Sequence, residues 1–199
     1  ALFVRNGVSA WVPLSWEQAL WPRVHADASG LLLTVGDAVF ALTDALIAGF
    51  TAKYEYALWR PQTAVAALGK IYEHPELEPG LDWTSQVPAP MHPEYPCQHC
   101  TSGSAAQEVM EAVFGEGEFG FSFTGNGGIS KTYQSFQEFA EEESESRVLG
   151  GVHYRRSNAV GDMLGYQIGA HIVGNTLLPQ GGQPGAIACS GALSAKLSQ

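Results

Sequence analysis

The chain has 199 residues, of which 45% are hydrophobic, enough for one domain with a sizeable core. Only 15% are charged, which excludes an intrinsically disordered chain, because disorder needs few apolar residues and many charges. The formal net charge of −10 argues against a protein that binds nucleic acid or anionic membranes. We therefore expect a single domain over 1–199, with the segments 1–33 and 180–199 at its periphery.

Targeting signals and cysteines suggest where the chain works. The sequence begins at Ala1 without a basic and then apolar leader, which favours a processed chain or a fragment. The uncharged stretch 163–195 is rich in Gly and polar residues, so we expect a soluble protein without a membrane span. Cys97, Cys100 and Cys189 allow one pair and a free thiol, and they favour secretion or another oxidising compartment.

The first predicted helix covers about 34–59 and ends before Pro61. Thr34 or Asp37 can cap its start. Its inward stripe follows spacings of three and four residues and consists of Val39, Leu42, Leu46, Gly49 and Phe50. A short helix over 62–72 follows.

A long loop over 73–98 comes next, with Pro75, Pro79, Pro88, Pro90, Pro93 and Pro96. Loops of this length inside a compact domain are usually functional. A helix over 99–114 follows the loop. The alternating Phe119, Phe121 and Phe123 then predict a short strand or an extended arm.

Two further helices complete the prediction. One covers 132–147, carries an acidic run that indicates a solvated face, and ends at Gly150-Gly151. The other begins at Ser157 or Asn158 and ends before Pro179, with Val160, Leu164, Ile168 and Ile172 at helical spacing. The expected fold class is all-α, a helical bundle with long loops.

Three groups of residues can carry chemistry. Lys53 and Arg60 lie seven residues apart, which places them on one face of the first helix, in register with its inward stripe. Buried cations need an anionic partner, and the alternative to a bound anion is a pair of salt bridges to glutamates.

The second group is Pro96-Cys97-Gln98-His99-Cys100, directly before a helix whose first N–H groups can bind an anion. His99 is a candidate acid or base, or alternatively a core or capping histidine. Cys97 and Cys100 also fit a redox pair, but zinc would need two more ligands.

The third group is Ser146-Arg147-x5-His153, which crosses the Gly-Gly break. Together the three groups resemble the signature of the type 2 phosphatidic acid phosphatase and vanadium-dependent haloperoxidase superfamily: Lys-x6-Arg-Pro, Pro-Ser-Gly-His and Ser-Arg-x5-His. The text around His92 and Pro96 resembles the soluble haloperoxidase branch. The resemblance spans residues 53–153.

This resemblance implies a bundle with a buried pocket for vanadate, or for phosphate in the same place. Lys53, Arg60 and Arg147 would neutralise its oxygens, and the Cys97-Gln98 pair would contribute from the helix start. His153 would be the ligand to vanadium or the nucleophile toward phosphorus, and His99 the general acid and base. His92 occupies a position where bromide-using relatives carry a histidine, although it can equally be an ordinary loop residue.

The chain departs from the family pattern at three places. Cys97-Gln98 replaces Ser-Gly, which weakens a hydrogen-bond donor. Ser157 stands four residues after His153, where relatives often carry Asp, so the carboxylate that would orient His153 is expected to be missing, with Asp162 a poor substitute. The chain also resembles only the C-terminal, site-bearing half of soluble haloperoxidases, which favours a homo-oligomer or a missing N-terminal half.

Three functions follow as competing hypotheses. The first is a vanadate-dependent haloperoxidase that oxidises halide with hydrogen peroxide. The second is an acid phosphatase that uses His153 as nucleophile on a small phosphate ester. The third is an inactive storage or binding protein with a relic site.

Overall fold

A computed structural model describes residues 28–71, 82–115, 120–124 and 128–177 of the chain. The expected all-α bundle is confirmed: the described part is mostly helical, with one two-stranded antiparallel hairpin. In chain order its elements are α1 (Ala28–Tyr56), α2 (Pro61–Ile71), α3 (Gln98–Phe114), β1 (Phe121–Thr124), β2 (Ser130–Tyr133), α4 (Phe136–Leu149) and α5 (Arg155–Asn175).

The closest helix contact is between α3 and α5, and three glycines of α5 make it possible. A Cβ added to Gly161 would lie 2.6 Å from the carbonyl oxygen of Cys97. Likewise, a Cβ on Gly165 would collide with the Thr101 carbonyl, and one on Gly169 would lie 2.6 Å from that of Ala105. The spacing of four places all three glycines on one side of α5. This stripe lets the backbones approach and holds the start of α3 against the start of α5.

An aromatic cluster joins the hairpin to α4. Phe121 of β1 pairs with Tyr133 of β2, and both rings pack against Phe139, at centroid distances of 5.8 and 4.9 Å. Phe136 completes the cluster beside Phe121. These rings are buried in one cluster with Leu42 and Met110, so the hairpin packs against the helical core.

The inward stripe of α1 differs from the prediction. Leu42 and Gly49 are buried, but Val39 and Leu46 are exposed, and the buried positions beside them are alanines. Ala38, Ala41 and Ala45 pack against Ala105, Val109 and Ile172. Small residues let α1 approach α3 closely. Close packing of the two helices, rather than the hydrophobicity of the side chains, therefore decides which residues of α1 face inward. Leu42 is buried, but Val39, Phe40, Leu46 and Ile47 lie exposed on the other side of α1. That an oligomer partner or a missing N-terminal half covers this side remains a prediction.

The ends of α1 also differ from the prediction. Since the helix begins at Ala28, Thr34 and Asp37 lie inside it rather than at a cap. It ends at Tyr56 because Ala57 takes the left-handed conformation, with φ at 47°, and closes the last turn through its N–H to the Lys53 carbonyl. Arg60 therefore lies in a connection, not on the helix that carries Lys53.

The helix α4 begins at Phe136, four residues after the predicted start at 132. Ser130–Tyr133 forms β2 instead. The helix begins after Ser135, whose hydroxyl accepts the N–H of Glu138 at 3.0 Å. Within the acidic run of α4, Glu143 is fully buried, so the expected solvated face holds for only part of that run.

The segment Val35–Leu68 has the length and hydropathy of a membrane span, which are features that core helices of soluble proteins share. Of the segment 1–33 that the sequence places at the periphery, residues 1–27 fall outside the described residues, and 28–33 belong to α1. The segment 180–199, with Cys189, also falls outside the described residues. So does the 72–81 part of the long loop; its remainder, 82–97, contains no helix or strand.

Candidate oxyanion site

Lys53 lies in the last turn of α1 and is completely buried. Its Nζ donates to three carbonyl oxygens of the proline loop, at 3.1 Å from Pro93, 2.9 Å from Glu94 and 2.5 Å from Pro96. Burial and the charge of Arg60 lower the pKa of Lys53 to about 7, while Glu94 favours the ammonium form. Lys53 thus ties the loop before α3 to the end of α1.

Arg60 reaches the same place from the connection between α1 and α2. Its Nη1 donates to the Val152 carbonyl at 2.9 Å and to Nε2 of His153 at 3.0 Å. Its Nε donates to the carbonyl oxygen of His92 at 3.2 Å. Burial lowers the pKa of Arg60 to about 10, so the guanidinium stays charged at neutral pH.

Arg147, in the last turn of α4, is buried, and its Nε has no hydrogen-bond partner in the described part of the chain. Its carbonyl oxygen accepts the N–H groups of Val152 and His153, at 3.1 and 3.2 Å. Gly151 lies between Arg147 and Val152 in the chain and takes φ at 75°, and a Cβ there would lie 2.9 Å from the Trp83 ring. The Gly-Gly turn therefore folds His153 back beside the end of α4.

Two carboxylates act on these three cations. The ion pairs found among the described residues include neither Lys53 nor Arg60, so direct salt bridges to glutamates are not seen for these two. Glu94 nevertheless acts on both by charge, and the buried Glu143 acts on Arg147 from the preceding turn of α4. Three buried cations beside two carboxylates leave the site positive, which favours an anion.

His153 is buried and is held at both ring nitrogens. Glu94 Oε1 lies 2.6 Å from Nδ1, and Arg60 binds at Nε2. Burial lowers the pKa of His153 to about 4, against the hydrogen bond to Glu94. The expectation that an orienting carboxylate is missing was wrong, because Glu94 supplies it from the proline loop. Asp162 instead accepts from Ser104 and Ser144.

Sequence reasoning missed Glu94 because it belongs to none of the three motifs. A signal was present: Glu94 is the lone carboxylate of the segment 88–97, which is otherwise apolar, proline-rich or neutral. An acidic residue next to prolines in a functional loop is a candidate for a fixed polar contact.

His99 lies in the first turn of α3 and is half-buried. Burial, and then the charges of Arg147, His153, Lys53 and Arg60, lower the pKa of His99 to about 3. Because these charges act on one imidazole, the structure brings the three motifs together around it. His99 is neutral at pH 7.

Cys97 forms a disulfide with Cys100, and its Sγ accepts the Cys100 N–H at 3.2 Å as the N-cap of α3. A disulfide sulfur carries no proton, so the side chain of Cys97 cannot donate to an anion, contrary to its assignment as a donor at the site. The pairing left open by the sequence is thus settled for these two cysteines.

Gln98 does not obstruct the site. Its Nε2 donates to the Ala45 carbonyl at 3.0 Å and to Ser102 Oγ at 3.1 Å, in a notch where a Cβ on Gly49 would collide with it. The side chain thus packs between α1 and α3. What Gln98 can offer an anion is its backbone N–H at the start of α3.

His92 is half-buried beside the Phe50 ring, at a centroid distance of 5.0 Å. Its Nδ1 lies 3.2 Å from Arg60 Nη2, which can only donate, and equally 3.2 Å from the Pro93 carbonyl oxygen, which can only accept, so either tautomer of His92 has a partner at Nδ1. Burial lowers the pKa of His92, which keeps the ring neutral. His92 thus contacts one of the three cations directly.

The donor set fits an oxyanion with one nitrogen ligand. In the part of the chain that the structure describes, no group of three or more His, Cys, Asp or Glu could hold a metal cation. The site instead offers positive charge from three side chains, the orphaned Nε of Arg147 and one neutral imidazole. Vanadate and phosphate match this chemistry, because their oxygens carry the charge and their central atom can accept one nitrogen.

The fold and this cation-lined site define a helical bundle of the vanadium haloperoxidase superfamily. Residues 37–177 match the family model of the VCPO second helical-bundle domain, and the chain belongs to this family. No curated protein sequence matches the chain.

Solved structures agree with this assignment. A bacterial vanadium-dependent iodoperoxidase is similar with a TM-score of 0.71 and 27% identity, over 83% of this chain and 38% of that one. A holo-type bacterial vanadium-dependent chloroperoxidase has a TM-score of 0.61 and 21% identity, over 83% and 39% of the two chains. An apo-type one has a TM-score of 0.57 and 23% identity, over 69% and 35%. The chloroperoxidases show the fold alone, and the chain spans about two fifths of the iodoperoxidase.

Proposed function

We propose that this chain binds vanadate and oxidises halide with hydrogen peroxide, as a vanadium-dependent haloperoxidase. The observation that carries the proposal is the convergence of three buried cationic side chains, Lys53, Arg60 and Arg147, on the surroundings of His99. Glu94 and Glu143 offset only part of their charge. An anion with several charged oxygens would stabilise these cations and be stabilised by them.

The three cations would hold the oxyanion in different ways. Each guanidinium offers forked donors, and the Lys53 ammonium acts as a point charge. Arg147 has its Nε available, whereas Arg60 and Lys53 donate to protein acceptors that an oxyanion would replace in part. Bound vanadate would supply the Lewis acidity that activates peroxide toward halide.

The two histidines would divide the remaining work. His153 would bind the central atom through Nε2, because Glu94 already occupies Nδ1. His99 is neutral, so one of its ring nitrogens can accept a proton from hydrogen peroxide and return it later. His92, next to Arg60, favours bromide or iodide as the halide by its resemblance to bromide-using relatives.

Vanadate dialysis followed by bromination of phenol red tests the proposal. We expect one bound vanadate per chain and bromination that requires vanadate, peroxide and bromide together. His153→Ala should abolish turnover, whereas Arg155→Met, at an exposed pair with Glu145, should leave it unchanged. Bound vanadate without bromide or iodide oxidation would contradict the haloperoxidase proposal.

An acid phosphatase is the second candidate, since the lone pair of His153 Nε2, once Arg60 has moved to the anion, also suits attack on phosphorus. In that case His153 would form a bond to phosphorus as the ester oxygen leaves. His99 would protonate that oxygen, which requires its charged form and therefore acidic conditions, because its pKa is about 3. Hydrolysis of p-nitrophenyl phosphate, inhibited by vanadate, would favour this function.

A non-catalytic binding protein is the third candidate, and the Cys97–Cys100 disulfide favours it because it removes a side-chain donor from the site. This candidate predicts that the chain binds vanadate and phosphate but shows neither halide oxidation nor ester hydrolysis.

A further inference from the structure

Glu94 is completely buried, and its carboxylate contacts three groups around the start of α5. Oε1 lies 2.6 Å from Nδ1 of His153 and accepts the Tyr154 N–H at 3.1 Å. Oε2 accepts the Ser157 hydroxyl at 2.7 Å. Both carboxylate oxygens of Glu94 thus accept hydrogen bonds from donors that belong to the start of α5.

The two contacts of the His153 ring favour the same tautomer. Oε1 of Glu94 already accepts the Tyr154 N–H and Oε2 accepts the Ser157 hydroxyl, so the carboxylate acts as an acceptor toward Nδ1, which carries the proton. At the opposite nitrogen, Arg60 can only donate, so Nε2 must offer its lone pair. The lone pair thus faces the Arg60 guanidinium, at the position where an oxyanion would have to bind.

The backbone around Glu94 is fixed from two sides. Its N–H donates to the Leu58 carbonyl at 2.9 Å, and its carbonyl accepts from Lys53 Nζ at 2.9 Å. The carboxylate therefore comes from a loop anchored on the end of α1. It reaches a histidine 59 residues later in the chain.

Ser157 explains how the carboxylate is held. It lies four residues after His153, one turn into the adjoining helix, and its hydroxyl faces the carboxylate of Glu94. An aspartate at 157 would place its own carboxylate in that space. In this chain, the short side chain of Ser157 leaves room for the carboxylate of Glu94, which comes from the proline loop.

We propose that Glu94 is the positioning residue for His153 and that Ser157 anchors it, so that the pair takes the place of a carboxylate on α5. Glu94 touches neither the oxyanion nor the reacting atoms; it acts by fixing the tautomer and direction of the imidazole. This inference rests on the proposed oxyanion site, because a fixed Nε2 lone pair matters only if something binds to it. Partners of this kind typically contribute 10- to 100-fold to affinity at a metal centre.

The first test measures the His153 tautomer in the vanadate-free protein, from the ¹⁵N chemical shifts of its ring. We expect Nδ1–H and an unprotonated Nε2 at pH 7.5. An Nε2–H tautomer in the unaltered protein would overturn the proposal without any variant. This readout does not depend on vanadate, so it stands apart from a failure of the proposed function, which would appear as no vanadate binding by the unaltered chain.

The second test uses variants and vanadate dialysis. Glu94→Gln keeps the volume but removes the charge, and it should mix the two tautomers and weaken vanadate binding by about 10- to 100-fold. The double variant Glu94→Ala with Ser157→Asp should restore the tautomer and most of the affinity. Glu145→Gln, which removes a surface carboxylate, is the control and should change neither. If Glu94→Gln keeps both the tautomer and the affinity within twofold, Glu94 is not a positioning residue.

Discussion

Nη1 of Arg60 lies 3.0 Å from Nε2 of His153, although 93 residues separate the two. The guanidinium thus donates a hydrogen bond to the lone pair of His153 Nε2, the same lone pair that a vanadium or phosphorus atom would bind. Anion binding must therefore exchange this contact for one between Arg60 and an anion oxygen. In this exchange Arg60 loses one charge-assisted hydrogen bond and gains another. The free-energy cost of losing the contact with His153 is therefore small compared with the free energy gained when the anion neutralises the cations.

Replacing Arg60 by methionine should weaken vanadate binding by about 10- to 100-fold, because a hydrogen bond to a charged group contributes about 1.5–3 kcal/mol. Equilibrium dialysis measures the effect. Arg155→Met, which removes an exposed arginine, is the matched control. Equal losses in both variants would indicate a general effect of charge rather than a contact in the site.

Gly165→Ala should lower the free energy of unfolding by about 1–3 kcal/mol or more, since the new Cβ would collide with the Thr101 carbonyl. Gly174→Ala in the same helix meets nothing within 4 Å and should raise it by about 0.5–1 kcal/mol. Urea unfolding of both variants provides the comparison. Equal effects would show that the close contact between α3 and α5 is not decisive for stability.

The double variant Cys97→Ser with Cys100→Ala should bind vanadate or phosphate more tightly than the oxidised protein. The serine hydroxyl restores a donor that the disulfide lacks, and a neutral hydrogen bond contributes about 1 kcal/mol, or about fivefold in affinity. The single variant Cys100→Ala is the control, because it leaves Cys97 with a free thiol, which is only a weak hydrogen-bond donor. Lower affinity of the double variant would mean that the disulfide shapes the helix start that the anion needs.

Acid should destabilise the protein through His99. The pKa of His99 is about 3 in the folded chain and 6.5 as its ordinary value, so the unfolded chain binds more protons between these pH values. The free energy of unfolding therefore falls as the pH drops from 6.5 toward 3, by at most about 1.4 kcal/mol per pH unit for this group.

Urea unfolding at several pH values tests this, and His99→Gln should flatten the slope below pH 6.5. His171→Gln, at an exposed position of α5, serves as the control. An unchanged slope in the His99→Gln variant would show that His99 binds its proton as readily in the folded chain as in the unfolded chain. His99 would then not cause the loss of stability in acid.

The sequence by itself predicted the helical class and the oxyanion motifs. Both depend on local spacing: apolar residues recur with the helical period, and Arg147 and His153 keep a fixed distance across a Gly-Gly turn. Such features can be predicted without knowledge of the fold, because each is determined by residues close together in the chain.

Tertiary structure alone decided which side chains meet. The approach of α1 to α3 turned its alanines inward and left Val39 and Leu46 exposed. The left-handed Ala57 moved Arg60 off the helix, and the fixed loop brought Glu94 to His153. These contacts join residues far apart in sequence, and their geometry follows from how closely the helices pack, which no local pattern of residue types specifies.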